Sequence, residues 1–440
     1  MSVKCVILNG NQRDDSAAQQ VWSKVAVRFV NTCRYPIRFI RSNSCLILLF
    51  IGFVLMFGSV AHFAKYKRNN LKVALPIFDS EFTVTNGTNG SLTSSLNSNL
   101  CDCNGDNFCF KGLDEVGNVR LGLPFDCSFY ENLNFLQLLD SDAAKVKPDY
   151  EQIVADDTWS PVFVTSISSD YFTELKAFVK NIRDYYPKSK IVVFDIGLET
   201  QEIKELSSWC LVEYRVFDFS KYPTHVQNLK NYSFKLTIIE AFEKYKTFFY
   251  VDPSVRIDSR RLVTFLQGVQ SGVLLPFTTH TWTGHSVYAT THPAMYAYFP
   301  LPIILTQIEE VQATFQFITD SAYTRHIFKW WYLCAMTENC IDPPGAELYC
   351  NFNGRHSPPR RIYANCHRFD QAMWNLATLA YLFGAERGAV HLNYTKNWLK
   401  LNENLIVEVE RNRKKAMEKF VKLLDVRRGE GIYDELKMQC

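Results

Sequence analysis

From residue 161 onward, short apolar runs alternate with segments in which apolar residues recur every three or four positions. The runs predict strands, and the longer periodic segments predict helices. Strands are predicted at 162–166, 190–197, 212–219, 247–251 and 272–277, and helices near 172–182, 201–207 and 234–245. Such alternation implies an α/β fold that is Rossmann-like, with a mainly parallel sheet flanked by helices and joined by right-handed crossovers.

The first hundred residues follow a different pattern. Residues 45–64 are almost wholly apolar and long enough to cross a bilayer, so they predict one transmembrane helix, an uncleaved signal-anchor. The alternative is a buried helix of a globular domain. Lys and Arg residues outnumber acids in 1–44, which predicts a cytoplasmic tail and a type II, single-pass membrane protein. Residues 65–100, rich in Asn, Gly, Ser and Thr, predict a flexible stem.

Three further segments are predicted after the stem. A Cys-rich luminal segment spans 101–150, and the α/β domain spans 151–402. Residues 403–440 predict a C-terminal amphipathic helix and tail, because apolar residues there fall on one helical face. These residues are Met417, Phe420, Val421 and Leu424.

Cysteines and glycosylation sequons indicate the compartment. Ten of the 13 cysteines follow the apolar segment, and an even number predicts disulfides in an oxidising lumen. A zinc knuckle at Cys101, Cys103 and Cys109 is the alternative. Sequons at Asn86, Asn89, Asn231 and Asn393 also lie after the segment and predict a glycoprotein. The expected location is the Golgi or another secretory-pathway lumen.

Composition narrows the class of partner. The 440 residues are 47% hydrophobic, enough for one large core or two modest ones. A formal net charge of +3 is too small to indicate nucleic-acid binding.

Candidate chemistry concentrates between Phe234 and Ile257. Lys235 stands near the start of a predicted helix, and Asp252 directly follows the 247–251 strand. An acid at the carboxyl end of a covered central strand lies where open α/β sheets bind ligands. The alternative is that Asp252 and Pro253 simply end the strand in a turn.

Three motifs, in this order, resemble those of A-type (GT-A) nucleotide-sugar glycosyltransferases, notably the glycogenin-like group. The first joins Phe234-Lys235-Leu236 to the strand that ends at Asp252. The second is Phe369-Asp370-Gln371 with Asn375, and the third is Val390-His391 with Lys396 and Trp398. The resemblance implies a GT-A-like fold for 151–402 and a nucleotide-sugar as co-substrate.

The chain also resembles a nematode-expanded family of type II membrane proteins with a nucleotide-diphospho-sugar transferase-like domain. The resemblance spans about 161–398. It is carried by residues 219–225, by the segment from Trp331 to Pro343, and by Cys366-His367-Arg368 before Asp370.

The resemblance to transferases implies roles at the donor diphosphate. Asp252 and His391 would bind Mn²⁺ or Mg²⁺, and Lys235, Arg256 and Lys396 would contact the nucleotide. Ser254 stands where those enzymes carry a second metal-binding acid, so the implied metal site is weakened. Three interpretations follow: Asp252 and His391 hold a metal with waters, the three cations replace the metal, or the site is inactive. We favour weak-metal or metal-independent transfer.

Asp370 and Gln371 are the catalytic candidates. The resemblance implies that Asp370 binds the acceptor hydroxyl and accepts its proton, with Gln371 alongside. The alternative is that Asp370 only stabilises the start of a helix. Further candidates are His280, His285, His292 and Trp282 for an acceptor pocket, and Thr165 and Ser166 for the nucleotide base.

The sequence therefore predicts a glycosyltransferase that moves a sugar from a nucleotide-sugar donor to a glycan or glycoprotein acceptor. A catalytically inactive GT-A-fold protein that binds glycan or nucleotide-sugar is the alternative. A cell-surface adhesion module is a third.

Overall fold

The fold was obtained as a computed structural model, which describes residues 98–115, 118–257, 260–272, 274–279, 282–353, 360–383 and 426–428. The predicted signal-anchor, His391 and Lys396 lie outside these ranges, as do 65–97 of the predicted stem and the predicted 417–424 helical face. Within the described ranges, no helix is both long and apolar enough to span a membrane.

The strands, in chain order, have the following bounds: β1 Asp102–Cys103, β2 Asp106–Asn107, β3 Cys109–Leu113, β4 Val119–Pro124, β5 Val162–Ile167, β6 Ile191–Asp195, β7 Val212–Val216, β8 Thr247–Val251, β9 Val255–Ile257, β10 Phe277–Thr279, β11 Trp282–Ser286, β12 Glu309–Val311, β13 Phe315–Thr319 and β14 Val426–Arg428.

The α-helices have these bounds: α1 Tyr130–Phe135, α2 Asp140–Ala143, α3 Phe172–Tyr185, α4 Thr200–Ser207, α5 Thr237–Lys244, α6 Val263–Gln270, α7 Val287–Thr290, α8 Met295–Tyr298, α9 Ile303–Thr306, α10 Ala322–Ala335, α11 Glu338–Ile341 and α12 Phe369–Phe383.

A six-stranded sheet with the order β10-β13-β8-β5-β6-β7 organises the described residues. Neighbouring pairs from β8 to β7 are parallel, whereas β13 pairs antiparallel with both β8 and β10. The predicted α/β fold with a mainly parallel sheet is therefore confirmed. The strand predicted at 272–277 is wrong, because Gly272 has a φ of +69° in the turn that follows α6, and β10 begins only at Phe277.

The four inner strands of the sheet, β13, β8, β5 and β6, supply apolar side chains to two cores, one on each face. Along β8, Phe248 and Tyr250 enter the core that holds α5, α10 and α12, while Phe249 and Val251 enter the core under α3 and α6. Because both faces are covered, the central strands read as continuous apolar runs, which is why the sequence predicts them.

The Cys-rich segment packs on the face covered by α10. Phe110 lies edge-on against Trp330, with ring centroids 5.1 Å apart. Disulfides join Cys101 to Cys109, Cys103 to Cys127, Cys334 to Cys340 and Cys350 to Cys366, and Cys210 is also disulfide-bonded. The predicted disulfides are therefore present, and they leave none of the three thiolates that the zinc alternative requires.

A buried lysine ties this segment to α10. The Lys329 side chain has 0% exposure, and its ammonium contacts Asp106 Oδ1 and lies 2.8 Å from Asp140 Oδ2. Asp106 Oδ2 also accepts the Asp140 backbone N–H at 2.9 Å. The ion pair thus links β2 and α2 to the middle of α10.

Two glycines let the β3–β4 hairpin approach the 298–300 backbone. A Cβ atom on Gly122 would lie 2.0 Å from Tyr298 O, and one on Gly112 would lie 1.8 Å from Pro300 O.

We expect Gly122→Ala to lower the free energy of unfolding by about 1–3 kcal/mol, because backbone atoms must move to admit the methyl group. Urea denaturation measures the change, with Arg120→Ala, at an exposed position of the same strand, as the control. Equal stability of the two variants would contradict this close packing.

Candidate functional site

Lys235 lies in the 3₁₀ turn Ser233–Leu236, which leads directly into α5. The residue that precedes this turn, Tyr232, has a φ of 59°, a left-handed conformation that is uncommon for a residue other than glycine. Asn231 stabilises the bend, since its Oδ1 accepts the Ser233 N–H at 3.0 Å and its Nδ2 donates to His225 O at 2.9 Å. The bend directs Lys235 inward.

Asp252 follows the last residue of β8, at the carboxyl edge of the parallel strands. Its backbone N–H donates to Thr314 O at 2.8 Å, and its carbonyl accepts the Val255 N–H at 2.9 Å in the turn before β9. Its side chain is 21% exposed. The predicted position of Asp252 at the end of a covered strand is therefore correct.

Asp370 is the second residue of α12. Phe369, which precedes it, has a φ of 35°, and Cys366 is fixed to Cys350 by a disulfide. The helix begins abruptly after this constrained segment, and the Asp370 side chain is only 6% exposed. This burial distinguishes Asp370 from an ordinary acid at a solvated helix start.

The three residues converge on the Lys235 ammonium. Lys235 Nζ lies 2.8 Å from Asp370 Oδ2 and 3.4 Å from Asp252 Oδ1, and it donates to Ala313 O at 2.9 Å. Lys235, Asp252 and Asp370 are called the acidic cluster below. With both acids ionised its net charge is −1, and its most exposed member is Asp252.

Electrostatics keep Lys235 charged. Burial alone lowers the pKa of Lys235, but the Asp252 and Asp370 carboxylates outweigh this effect and hold its pKa above the usual range. Burial raises the pKa of Asp370, an effect that the Lys235 ammonium opposes. A phosphate could reach the ammonium only by displacing one of its three acceptors.

Gln371 and Asn375 project from α12 towards the connection between β12 and β13. The Gln371 amide donates to Glu310 Oε2 at 2.6 Å and accepts the Ala313 N–H at 3.3 Å. Asn375 accepts from the N–H and donates to the carbonyl of Val311, at 3.0 and 2.8 Å. The structure therefore places the Gln371 amide against the protein interior, next to the cluster.

Glu310 is a site residue that the sequence does not predict. It has 0% exposure, and burial raises its pKa to about 8. Its Oε2 accepts from Thr290 Oγ1 at 3.0 Å and lies 3.2 Å from His285 Nδ1, and burial lowers the pKa of His285 to about 4. A single acid in a three-residue strand carries no motif, so only the packing reveals it.

The donor set for a metal is short within the described residues. The described residues include no group of three or more His, Cys, Asp or Glu side chains that could hold a metal ion. Asp252 and Ser254 offer one carboxylate and one hydroxyl, and the Asp252 carboxylate already faces an ammonium. These residues do not fit Mn²⁺ or Mg²⁺ by themselves. The third predicted contributor, His391, lies outside the described ranges.

The remaining candidates have mostly structural contacts. Arg256 Nη1 donates to the carbonyls of Pro253 and Val255, at 2.6 and 3.0 Å, so its guanidinium folds back on its own turn. His292 Nδ1 accepts the Ala294 N–H at 3.2 Å. Lys396 and His280 lie outside the described ranges.

Thr165 and Ser166 are buried in β5. Ser166 Oγ lies 2.7 Å from Thr237 Oγ1, so this hydroxyl is engaged by α5. Asn231 has 0% exposure, and its hydrogen-bonded side chain closes that sequon to glycosylation in the folded protein. The Asn231 amide is therefore enclosed in the folded protein, and glycosylation of the chain stays a prediction.

Comparison with known proteins finds one matching family, whose activity is undefined, and similarities to solved structures. The family described as "Protein of unknown function (DUF1647)" matches residues 101–240. A search of curated proteins finds no match.

Glycosyltransferases are among the similar solved structures. The galactosyltransferase LgtC, in complex with donor and acceptor sugar analogues, aligns at 15% identity over 50% of this chain and 95% of its own, with a TM-score of 0.26. The bifunctional glycosyltransferase WbbM aligns at 13% identity over 60% of this chain, with a TM-score of 0.30; the chain spans only 45% of WbbM. The mannosyltransferase PcManGT from Pyrobaculum calidifontis, in complex with GDP-Man and Mn²⁺, aligns at 13% identity over 67% of this chain and 95% of its own, with a TM-score of 0.22.

Proposed function

We propose that this protein is a glycosyltransferase that moves a sugar from a nucleotide-sugar donor to a glycan or glycoprotein acceptor. The observation that carries the proposal is the convergence of Lys235, Asp252 and Asp370. They come from three separate elements, yet meet at the carboxyl edge of the parallel strands, where open α/β sheets bind ligands. The resemblance to glycogenin-like enzymes singles out the same three residues.

The two acids differ in environment, and their proposed roles differ accordingly. Asp252 is the more exposed, so its carboxylate is the one available to hydroxyl groups of the donor. Asp370 is buried, and its raised pKa brings it closer to the range in which a carboxylate is an effective general base. In the proposed transfer, the oxygen of the acceptor hydroxyl forms a bond to the anomeric carbon of the sugar, and the proton of that hydroxyl passes to Asp370. The bond between the sugar and the diphosphate breaks, and the nucleoside diphosphate leaves.

Lys235 acts through the two acids in this proposal. Its ammonium forms ion pairs with both carboxylates and donates to Ala313 O, which fixes the distance of each acid from the same nitrogen. Ordering groups in this way before the substrate binds contributes to catalysis, because little rearrangement is then needed during reaction. Gln371 supports the same geometry from α12.

A second candidate function is binding of a nucleotide-sugar or glycan without turnover. Ser254, at the position of an expected acid, favours it, as does a Lys235 ammonium whose contacts are already made by protein acceptors. Both functions use the same cluster, and they differ only in whether the sugar is transferred.

We also propose that the domain works in the lumen of the Golgi or another secretory compartment, as part of a type II membrane protein anchored by 45–64. The disulfides among the described cysteines support an oxidising compartment. The orientation of the anchor rests on the charge bias of the sequence.

The test is incubation of the full-length protein with a panel of nucleotide-sugars, with and without Mn²⁺, while nucleoside diphosphate release is measured. We expect Asp370→Asn to slow release by about 100-fold, the usual contribution of a general base, and Asp252→Ala to weaken donor binding. The matched control is Asp320→Asn, because Asp320 is also a buried acid, held by Arg325 at 2.7 Å, but lies outside the cluster.

The outcomes separate the two functions. Release with one donor that depends on Asp370 supports the transferase. Donor binding that depends on Asp252, without release, supports the binding protein. Both functions would be refuted if no nucleotide is released with any donor and Asp252→Ala has no effect on donor binding.

A further inference from the structure

The last residue of β12 and the connection that follows it, residues 311–314, hold two members of the acidic cluster and are called the 311–314 connection below. Thr314 O accepts the Asp252 N–H at 2.8 Å, and Ala313 O accepts the Lys235 ammonium at 2.9 Å. A shift of the 311–314 connection would therefore move the Asp252 backbone and the Lys235 ammonium together. The geometry of the cluster depends on what holds this connection.

Two amide side chains of α12 hold the 311–314 connection. The Asn375 side chain accepts the Val311 N–H and donates to the Val311 carbonyl, as the backbone of a neighbouring strand would. Gln371 Oε1 accepts the Ala313 N–H. Since Asp370 precedes Gln371, the helix that provides one acid also fixes the connection that positions the other. Helix α12 therefore contacts the cluster in two ways, directly through Asp370 and indirectly through the 311–314 connection.

Glu310 decides which way the Gln371 amide faces. An amide has a carbonyl at one end and an NH₂ at the other, so a flipped Gln371 would turn its NH₂ towards the Ala313 N–H, and the hydrogen bond would be lost. Glu310 Oε2, at 2.6 Å from Gln371 Nε2, is an acceptor that requires the NH₂ on its own side. The carbonyl must then face Ala313.

Core packing alone does not account for an acid at this position. Glu310 is fully buried, and its Oε1 has no hydrogen-bond partner among the described residues. Burying a polar atom without a partner destabilises a protein, so an apolar residue would serve the core better. The contacts that Glu310 does make lead towards the cluster through Gln371.

We propose that Glu310 is a positioning residue, which orients Gln371 and thereby holds Lys235 and Asp252 in the geometry that transfer requires. This inference rests on the proposed function of the acidic cluster. Glu310 forms no hydrogen bond or ion pair with a member of the cluster, so its positioning effect reaches the site through Gln371 and the 311–314 connection, while its charge also repels that of Asp370.

The experiment compares hydrogen–deuterium exchange in the full-length protein and three variants. Glu310→Leu removes the acceptor, and Glu310→Gln retains an acceptor oxygen. Thr290→Val leaves the Gln371 contact in place but removes the hydroxyl that donates to the same oxygen. We expect Glu310→Leu to speed exchange of the Ala313 and Asp252 amides by about tenfold, the effect of one lost hydrogen bond. Glu310→Gln and Thr290→Val should leave both amides within about threefold of the wild type.

Nucleoside diphosphate release is measured on the same samples. We expect Glu310→Leu to lower kcat/KM for the donor by about tenfold, with a raised donor KM as well as a lowered kcat, because Asp252, the proposed donor contact, is displaced together with Lys235. Glu310→Gln should restore most of the rate. A merely structural residue would lower stability without changing kcat/KM of the protein that remains folded.

Two results would overturn the proposal. One is unchanged exchange at Ala313 and Asp252 in Glu310→Leu, and the other is faster exchange throughout β5 and β6 as well, which is the pattern of global destabilisation. If the wild type releases no nucleotide with any donor, the proposed transfer fails, while the local exchange still shows whether Glu310 holds the connection.

Discussion

Lys235→Met is expected to lower the free energy of unfolding by about 3–5 kcal/mol, the range found when one partner of a buried ion pair is removed. Methionine fills a similar volume, so the loss comes from charge and not from a cavity. Asp370, with a side chain 6% exposed, would keep neither its cation nor access to water, and it would face the Asp252 carboxylate without an ammonium between them. Urea denaturation with a fluorescence readout measures the change.

A double variant separates stability from function. In Lys235→Met with Asp370→Asn the buried charge is gone, and we expect most of the lost stability to return while nucleotide release stays at least about 100-fold slower than in the wild type. A cost below about 1 kcal/mol for Lys235→Met alone would place the cluster in the range of a solvated ion pair and contradict the burial described above.

Lys329→Met is expected to have the second-largest effect, again about 3–5 kcal/mol of unfolding free energy. Lys329 resembles Lys235 in chemistry, because each is a buried lysine between two carboxylates. Asp106, with a side chain 7% exposed, loses its cation in this variant, whereas Asp140 is 47% exposed and remains hydrated. For that reason we place this effect below that of Lys235→Met.

The comparison of the two lysines tests which one belongs to a functional site. Lys329→Met should lower stability and leave donor binding unchanged at a temperature where the protein stays folded. The double variant Lys329→Met with Asp106→Asn should recover stability. Weakened donor binding in both Lys329 variants would show that the Cys-rich segment contributes to the site.

Sequence reasoning locates the parts of the site that carry local patterns. Lys235, Asp252 and Asp370 each border a strongly apolar strand or helix, so their places in the fold follow from periodicity and from the position of an acid at a strand end. The bounds of β8 follow from its covered faces in the same way. These features depend on a few neighbouring residues.

Long-range packing decides the rest. The sequence does not predict β13, because Gln316 and Thr319 interrupt its apolar pattern, although both are buried in the sheet. Nor does it predict Glu310, whose burial results from α12 packing over the 311–314 connection. In both cases a polar residue is enclosed by elements that lie far away in the chain.

The buried, hydrogen-bonded side chain of Asn231 has a consequence for folding if the chain enters a glycosylating compartment. Its side chain has 0% exposure and binds the His225 carbonyl and the Ser233 amide. A glycan on Nδ2 would displace the His225 contact and prevent the bend that leads to Lys235. In a compartment that glycosylates nascent chains, folding of the 225–236 segment and modification of Asn231 would therefore compete. In such a compartment, only chains that fold this segment before the sequon is modified would reach the structure described above.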